Sequence, residues 1–207
     1  MGNNPSWHSR GTGGRNEVQD ISDEELKLFP VENVSWDDCR KFIEKLNEKE
    51  LGRGYLYRMA SEAEWEYACR AGATSEEECS YLFYFAKPTN ELSSAMANFN
   101  GNEPFGKAPP GPWLMRPTRV GAYPPNRLGL CDMHGNVSQW TDTAHRSGRV
   151  DRGGSWRDNG RGCRASERYG LPPTHQDMVL GFRLVRVPVL GPDRQAETNG
   201  RAGRSPR

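Results

Sequence analysis

The 207-residue sequence contains no apolar run of about 18 residues, the length a helix needs to cross a bilayer, and no basic-then-apolar leader follows Met1. As it stands, the sequence predicts neither a membrane span nor a secretory signal. It also lacks an excess of either charge: 28 Lys and Arg against 27 Asp and Glu leave a net charge of +1. No electrostatic footprint for nucleic acid or an anionic membrane is present, so partners have to be sought in local sites. Histidine is scarce, at four (His8, His134, His145, His175), and the five cysteines (Cys39, Cys69, Cys79, Cys131, Cys163) contain no C-x-x-C spacing. A structural zinc site is therefore not expected, and buried free thiols are the simpler reading. Gly-rich phosphate loops, a nucleophile elbow and a paired-carboxylate signature are missing too. Glu62, Glu64 and Glu66 fall at the start of a helix, where dipole interaction and solvation account for them without catalysis.

What the chain does have is punctuation and tryptophan. With 23 glycines and 15 prolines, long helices and large regular sheets are unfavourable, and a loop-rich single domain is expected. Six tryptophans can build a compact core where aliphatic residues are sparse. The series Val34, Trp36, Cys39, Phe42, Ile43, Leu46 predicts an amphipathic helix with Ser35 as N-cap, Asp37 and Asp38 in its first turn and Gly52 at its end. Ser61-Glu-Ala-Glu-Trp-Glu-Tyr-Ala-Cys-Arg-Ala-Gly72 predicts a second, with a Ser61/Glu64 capping box and Gly72 as C-cap. Strands are predicted at Tyr55 to Met59, near Val150 to Trp156, and at Phe182 to Val187. Seven prolines between Pro104 and Pro125 mark an irregular loop, and residues 191–207, almost without apolar content, are expected to form a disordered tail beyond a domain of residues 1–190.

Several short segments occur in a characteristic order: Asn4-Pro-Ser6, Phe29-Pro-Val-Glu-Asn-Val-Ser-Trp36, Arg58 to Gly72, Ala97-Asn-Phe99, Pro124-Pro-Asn126, Gly129 to Val137, Arg152-Gly-Gly-Ser-Trp156 and Gly181-Phe-Arg183. Together they resemble the formylglycine-generating enzyme, or sulfatase-modifying factor, family, and the match runs from about residue 1 to residue 187. The resemblance implies an α+β, loop-rich, C-type-lectin-like fold. Met1-Gly-Asn-Asn-Pro-Ser6 is similar to an internal segment of relatives, so the chain is expected to lack their opening strand and helix. A signal peptide would be lost with them, and compartment is not read from the sequence.

The resemblance further implies a site in which two cysteines hold Cu(I) and a substrate cysteine within C-x-P-x-R is oxidised to formylglycine. Cu(I) selects soft thiolates, and two are required. The family places them three and eight residues after the serine of the Gly-Gly-Ser strand, which puts Asp158 at the first position and Cys163 at the second. Asp158 offers hard oxygen instead of sulfur. Cys163 reads either as a lone reactive thiol, helped by Arg161 and Arg164, or as an inert core cysteine, and the latter is favoured.

By the same resemblance, structural calcium would be held by Asp132, the carbonyls of Gly135 and Val137, and Gln139. Here Ser138-Gln139 stands where relatives prefer Trp-Glu, so ligand charge is reduced. A second calcium site would begin at Asn98 and the carbonyl of Phe99, with Asn98 as a simple turn residue the alternative. With the cysteine pair incomplete, the expected function is a non-catalytic paralogue: a scaffold whose groove, with Trp140, Ser155, Trp156 and Arg168, binds a peptide or protein ligand, a sulfatase among the candidates. The alternative is the copper-dependent oxidase; a third reading is a gene fragment with part of its core exposed.

Overall fold

The computed structural model describes residues 4–189. The predicted tail at 191–207 lies outside the described residues.

Both predicted helices form where their caps place them. Ser35 accepts a hydrogen bond from the Asp38 amide while the Asp38 carboxylate accepts one from the Ser35 amide, and the helix that follows, α2, spans Trp36–Lys49. A short turn of helix, α1 (Asp23–Leu26), precedes it, capped by Ser22. The third helix, α3 (Glu62–Cys69), starts from the Ser61/Glu64 capping box and ends through Ala71 and Gly72, both in the left-handed region. Arg58 forks onto the Glu64 carboxylate at 2.7 and 2.6 Å. That pairing, with the Ser61 amide, holds Glu64 down at about 2, so the capping charge persists across ordinary pH.

Among the described residues, six strands form two small sheets. The strand β1 (Tyr55–Met59) pairs antiparallel with β6 (Leu184–Pro188), and β4 (Arg168–Leu171), β3 (Gly148–Arg152), β2 (Ser138–His145) and β5 (Leu180–Phe182) form a second sheet in that order. Within it β5 runs parallel to β2, and Glu32 bridges to Gly181 at the edge. Three differences from the sequence reading have local causes. The stretch Phe182 to Val187 splits into two strands, because Arg183 turns its side chain inward and the chain passes from one sheet to the other. The Val150 to Trp156 strand ends at Arg152, where Gly153 and Gly154 take positive φ. Strands β2 and β4 had no clean apolar alternation to announce them: Gln139 and Thr141 of β2 are buried polar residues, and β4 lies at an edge.

Tryptophan side chains join helices to sheet. Trp36 of α2 donates its indole N–H to the Thr141 carbonyl at 3.0 Å, and Trp140 of β2 donates back to the Val34 carbonyl at 3.0 Å. Around them Cys39, Ile43, Met59 and Leu180 complete one core cluster. Trp65 of α3 donates to Gln139 of β2 at 2.9 Å and packs with Cys69, Tyr84, Met133 and Ala165 in a second. A third cluster joins the loop residues Phe83, Leu92, Ala97 and Phe99 to Cys163, at the end of a short 3-10 helix. The proline-rich stretch carries no helix or strand, only the isolated Leu92–Phe105 bridge at its start. Among the described residues no helix is long and apolar enough to cross a membrane.

Arg152, only 1% exposed, is the charged centre of this framework. Its guanidinium meets Glu66 at 2.5 Å and Glu62 at 3.2 Å, donates to the carbonyls of Ala165 and Ser166, and lies 5.2 Å from the Trp65 ring centroid. Glu62 and Glu66 are thus partners of a buried cation, beyond the dipole role expected from their position.

Two substitutions should separate these contributions in urea unfolding. Ser61→Ala, which removes one half of a cap, is expected to lower stability by about 1 kcal/mol. Arg152→Met removes the one buried donor shared by the carbonyls of Ala165 and Ser166 and by Glu62 and Glu66, which keep Arg168 and Arg70 respectively, and a loss of about 3 kcal/mol is expected.

Candidate functional site

The segment after β3 folds back on itself. A side chain on Gly154 would lie 2.6 Å from the Gly162 carbonyl and 2.9 Å from the Cys163 sulfur, so glycine alone lets the two ends of the turn approach. Ser155 donates its hydroxyl to Asp158 Oδ2 at 2.5 Å, and the Asn159 side chain accepts from the Gly162 amide to cap the short 3-10 helix Gly160–Cys163. The turn brings Asp158 and Cys163 into one neighbourhood: the aspartate's charge is felt at the thiol.

That neighbourhood suppresses thiolate chemistry. Cys163 is fully buried against Phe83, Leu92, Ala97 and Phe99, and its nearest polar contact is the Ser155 carbonyl at 4.0 Å. Burial first, and then the negative charge of Asp158, push the thiol well above its ordinary value. Arg164, expected to favour the thiolate, turns its guanidinium to Glu167 instead. His134, the one buried imidazole nearby, is tied down as well. Its Nδ1 donates to the Cys163 carbonyl at 2.8 Å and its Nε2 accepts from the Tyr84 amide at 2.8 Å, while burial lowers its pKa to about 4 and keeps it neutral. One protonated thiol beside a carboxylate does not fit a cuprous ion, and among the described residues no group of three or more His, Cys, Asp or Glu is arranged to hold a metal.

Of the four residues expected to line a groove, three are buried. Trp140 belongs to the core, at 1% exposure, because its ring fills the space between α2 and β2. Ser155 is buried under its bond to Asp158. Trp156 is buried too, its ring edge-on to His8 at 5.5 Å and its carbonyl accepting the Trp113 indole N–H. Arg168 alone reaches the surface, where it forks onto Glu62 at 2.6 and 2.7 Å. Three of these four side chains are therefore buried in the framework, and Arg168 is the one of them open to solvent.

The Asp132 loop departs from the calcium reading at its side chains. Gln139 Oε1 already accepts the Trp65 indole N–H at 2.9 Å and the Arg183 Nε–H at 3.1 Å, so both lone pairs are engaged. Arg183 also donates to the Cys131 carbonyl at 2.8 Å and acts on Asp132 as a neighbouring positive charge. Asp132 Oδ2 accepts the Gly121 amide at 2.8 Å. A guanidinium thus sits among the oxygens proposed for a metal, and this set does not fit a calcium ion. The backbone positions named for it, Gly135 and Val137, lie in the same buried loop. Gly135 packs so closely on the Asn98 carbonyl that any Cβ would collide with it.

Asn98 is different. Its Nδ2 donates to the carbonyl of Arg116 and to Asn136 Oδ1, yet its own Oδ1 is buried without a partner, next to the buried Phe99. An orphaned side-chain oxygen of this kind fits a cation or a water molecule. Asn136, in the left-handed region and 1% exposed, joins this segment to Thr118 through both ends of its amide. The sequence reading passed over Asn136 and Arg152 because each sits inside a longer motif, where a polar residue gives no sign of burial. It passed over Asp151 for a different reason. This carboxyl is 4% exposed, and burial, then the Asp158 charge, raise it to about 6, although hydrogen bonds from its own backbone and from Ser138, and the charge of Arg152, act in the opposite sense.

Known proteins are similar to this chain over most of its described length. The Sulfatase-modifying factor enzyme 1-like domain matches residues 4–188. The inactive C-alpha-formylglycine-generating enzyme 2 of Bos taurus is 34% identical over 167 residues, covering 75% of this chain and 49% of that protein. Formylglycine-generating enzyme of Bos taurus is 30% identical over 185 residues, covering 78% of this chain and 46% of its own length. The chain spans about half the length of these curated relatives. Among solved structures, Treponema denticola variable protein 1 superposes with a TM-score of 0.64 at 25% identity, covering 91% of this chain and 78% of that one. PvdO from Pseudomonas aeruginosa gives 0.60 at 27% identity, covering 77% and 62%.

Two measurements follow from the burial of these groups. Iodoacetamide at pH 8 should leave Cys163 unmodified in the native protein and label it after unfolding, as read by peptide mass spectrometry. Asp151 sets a pH dependence: between 3.8 and about 6 the folded chain keeps a proton that the unfolded chain releases, so its contribution to stability falls as pH rises through that window. Asp151→Asn should remove that fall, and the stability gain over wild type should grow from pH 4 to pH 7, reaching on the order of 2–3 kcal/mol.

Proposed function

We propose a non-catalytic role for this chain, which belongs to the sulfatase-modifying factor family: it serves as a scaffold whose surface loops bind a peptide or protein, and it does not oxidise cysteine. One observation carries this reading. Where two thiolates are needed, the chain has a fully buried, protonated Cys163 and a carboxylate, Asp158, hydrogen-bonded to Ser155. The similarity to a relative described as inactive supports it, and the similarity to formylglycine-generating enzyme keeps the oxidase as the outcome to test against.

The framework suits such a role. In the C-type-lectin-like reading of the fold, two capped helices and two small sheets form a rigid base, and long loops are displayed on it. A peptide or protein ligand, with a sulfatase as one candidate, would meet those loops and not the buried tryptophans. Calcium, if this member retains it, would be held at the Asn98 side-chain oxygen with the Phe99 carbonyl, where an unpartnered oxygen is present, and not in the Arg183-filled loop. There it would supply cross-linking of loop segments and no chemistry.

The oxidase assay is direct. Purified chain loaded with Cu(I) under oxygen is incubated with a C-x-P-x-R peptide, and the expected mass spectrum shows no aldehyde product. Formation of formylglycine above the rate of a Cys163→Ser control would overturn the proposal. For calcium, differential scanning calorimetry should show an upward shift in Tm on adding the ion that survives in Asp132→Asn and disappears in Asn98→Ala.

A further inference from the structure

The geometry points to a second binding site, in the recess between α2, the end of β1 and the β2–β3 hairpin, for a tetrahedral oxyanion: a phosphate or sulfate group, free or carried on a small molecule. This site goes beyond the scaffold reading and does not depend on it.

Three elements each deliver one arginine to this place. Arg40 comes from α2, Arg58 from β1 and Arg149 from β3, and all three line one cavity of about 360 Å³ whose other walls are Trp36, Ile43, Glu44, Met59 and Asp142. Trp36, Ile43 and Met59 belong to the first core cluster and give the cavity an apolar floor. Two of the guanidiniums rest on that floor: the Arg149 group lies 3.9 Å from the Trp36 ring centroid and the Arg40 group 5.3 Å from it. Stacking of this kind holds a planar guanidinium in place before any ligand arrives. The three arginine side chains still keep between 30% and 55% exposure, so the recess is open to solvent.

The positive charge is answered only in part from within the chain. Glu44 meets Arg40 at 3.0 Å and Glu64 meets Arg58 at 2.6 Å, but Asp142 stands 4.0 Å from Arg149, at the limit of an ion pair. Donors remain as well. A guanidinium carries five N–H groups. Among the described residues Arg149 uses one on the Asp142 carbonyl, Arg40 one on Glu44, and Arg58 three on Glu64 and the Met59 carbonyl. Glu44 and Asp142 are exposed, where such pairs contribute little and exchange readily with solvent. An anion that meets all three guanidiniums at once replaces these loose contacts with several charge-assisted bonds.

Shape then selects the anion. A carboxylate is planar and presents two oxygens, enough for one guanidinium fork, whereas a phosphate or sulfate group presents at least three oxygens in different directions, one for each arginine. The cavity lies near the lower end of the range for small-molecule sites, about 300–1,000 Å³, which leaves room beside the oxyanion for a small organic remainder against Ile43 and Met59. No histidine, cysteine or serine lines the recess, so the expected outcome is binding without turnover.

The test titrates inorganic phosphate, sulfate and acetate into the full chain at pH 7.5 and constant ionic strength, followed by isothermal calorimetry and tryptophan fluorescence. Phosphate and sulfate should bind saturably at one site, at least tenfold more tightly than acetate. Arg58→Gln and Arg149→Gln should each weaken phosphate binding about tenfold, while Arg15→Gln, at an exposed position in the 3-10 helix Gly13–Val18, should leave it unchanged. Because Arg149→Gln also loses its stacking on Trp36, Asp142→Asn supplies a readout that misfolding does not produce: with a competing carboxylate gone, phosphate should bind more tightly than in wild type. Ribose 5-phosphate distinguishes the sources, since tighter binding than inorganic phosphate assigns the site to a small organic phosphate and equal binding assigns it to the free ion. Acetate binding as tightly as phosphate, or phosphate binding unchanged in both arginine variants, sinks the inference. The Cu(I) assay reads the turn after β3, so failure of either experiment leaves the other standing.

Discussion

The structure depends on where indole N–H groups find acceptors. Tryptophan brings a large apolar body and one donor that has to be satisfied when buried. In this chain Trp36, Trp65 and Trp140 meet that requirement on or from one strand, β2, whose residues Thr141 and Gln139 supply two of the acceptors. Both main helices are thereby fixed relative to the same backbone. A chain with few aliphatic residues and much glycine and proline obtains its rigidity from directional bonds between helix and strand as well as from buried area. Polar residues inside β2 are the complement of the tryptophans, which is why that strand does not look like one in sequence.

The same rigidity explains the fate of the turn after β3. Gly153 and Gly154 carry the chain inward, Ser155 and Asp158 lock to each other, and Cys163 is delivered to a hydrophobic cluster of loop residues. Sulfur in that setting behaves as a small apolar group, and its backbone carbonyl is worth more than its thiol because it receives His134. The segment matching the family's catalytic region thus works as a clasp between loops.

Much of this was legible from residues. The two capping boxes could be read because their signal is local: a serine, a carboxylate three residues on, and the amides between them. Strand β1 could be read for a similar reason, since Tyr55 and Tyr57 alternate along one short stretch that starts directly after Gly52 and Gly54. The groove could not. Trp140, Trp156, Ser155 and Arg168 were grouped by motif, and a motif records which residues accompany one another without saying on which side of a sheet each falls. The calcium loop shows a related gap, because the residue that engages Gln139 comes from Arg183, 44 positions away. Asp132 to Gln139 alone contain no hint that a guanidinium will arrive.

That arrival has a consequence for how the loop keeps its shape. A diffusible ion binds by mass action, so a loop organised around one loosens wherever the free ion becomes scarce. Arg183 is covalently part of the chain and arrives with every folded molecule, bonded to Gln139 and to the Cys131 carbonyl. The hold it exerts is indifferent to chelators and to dilution, and it is released only when β5 and β6 themselves come apart. The loop is therefore insulated from the ionic composition of its surroundings.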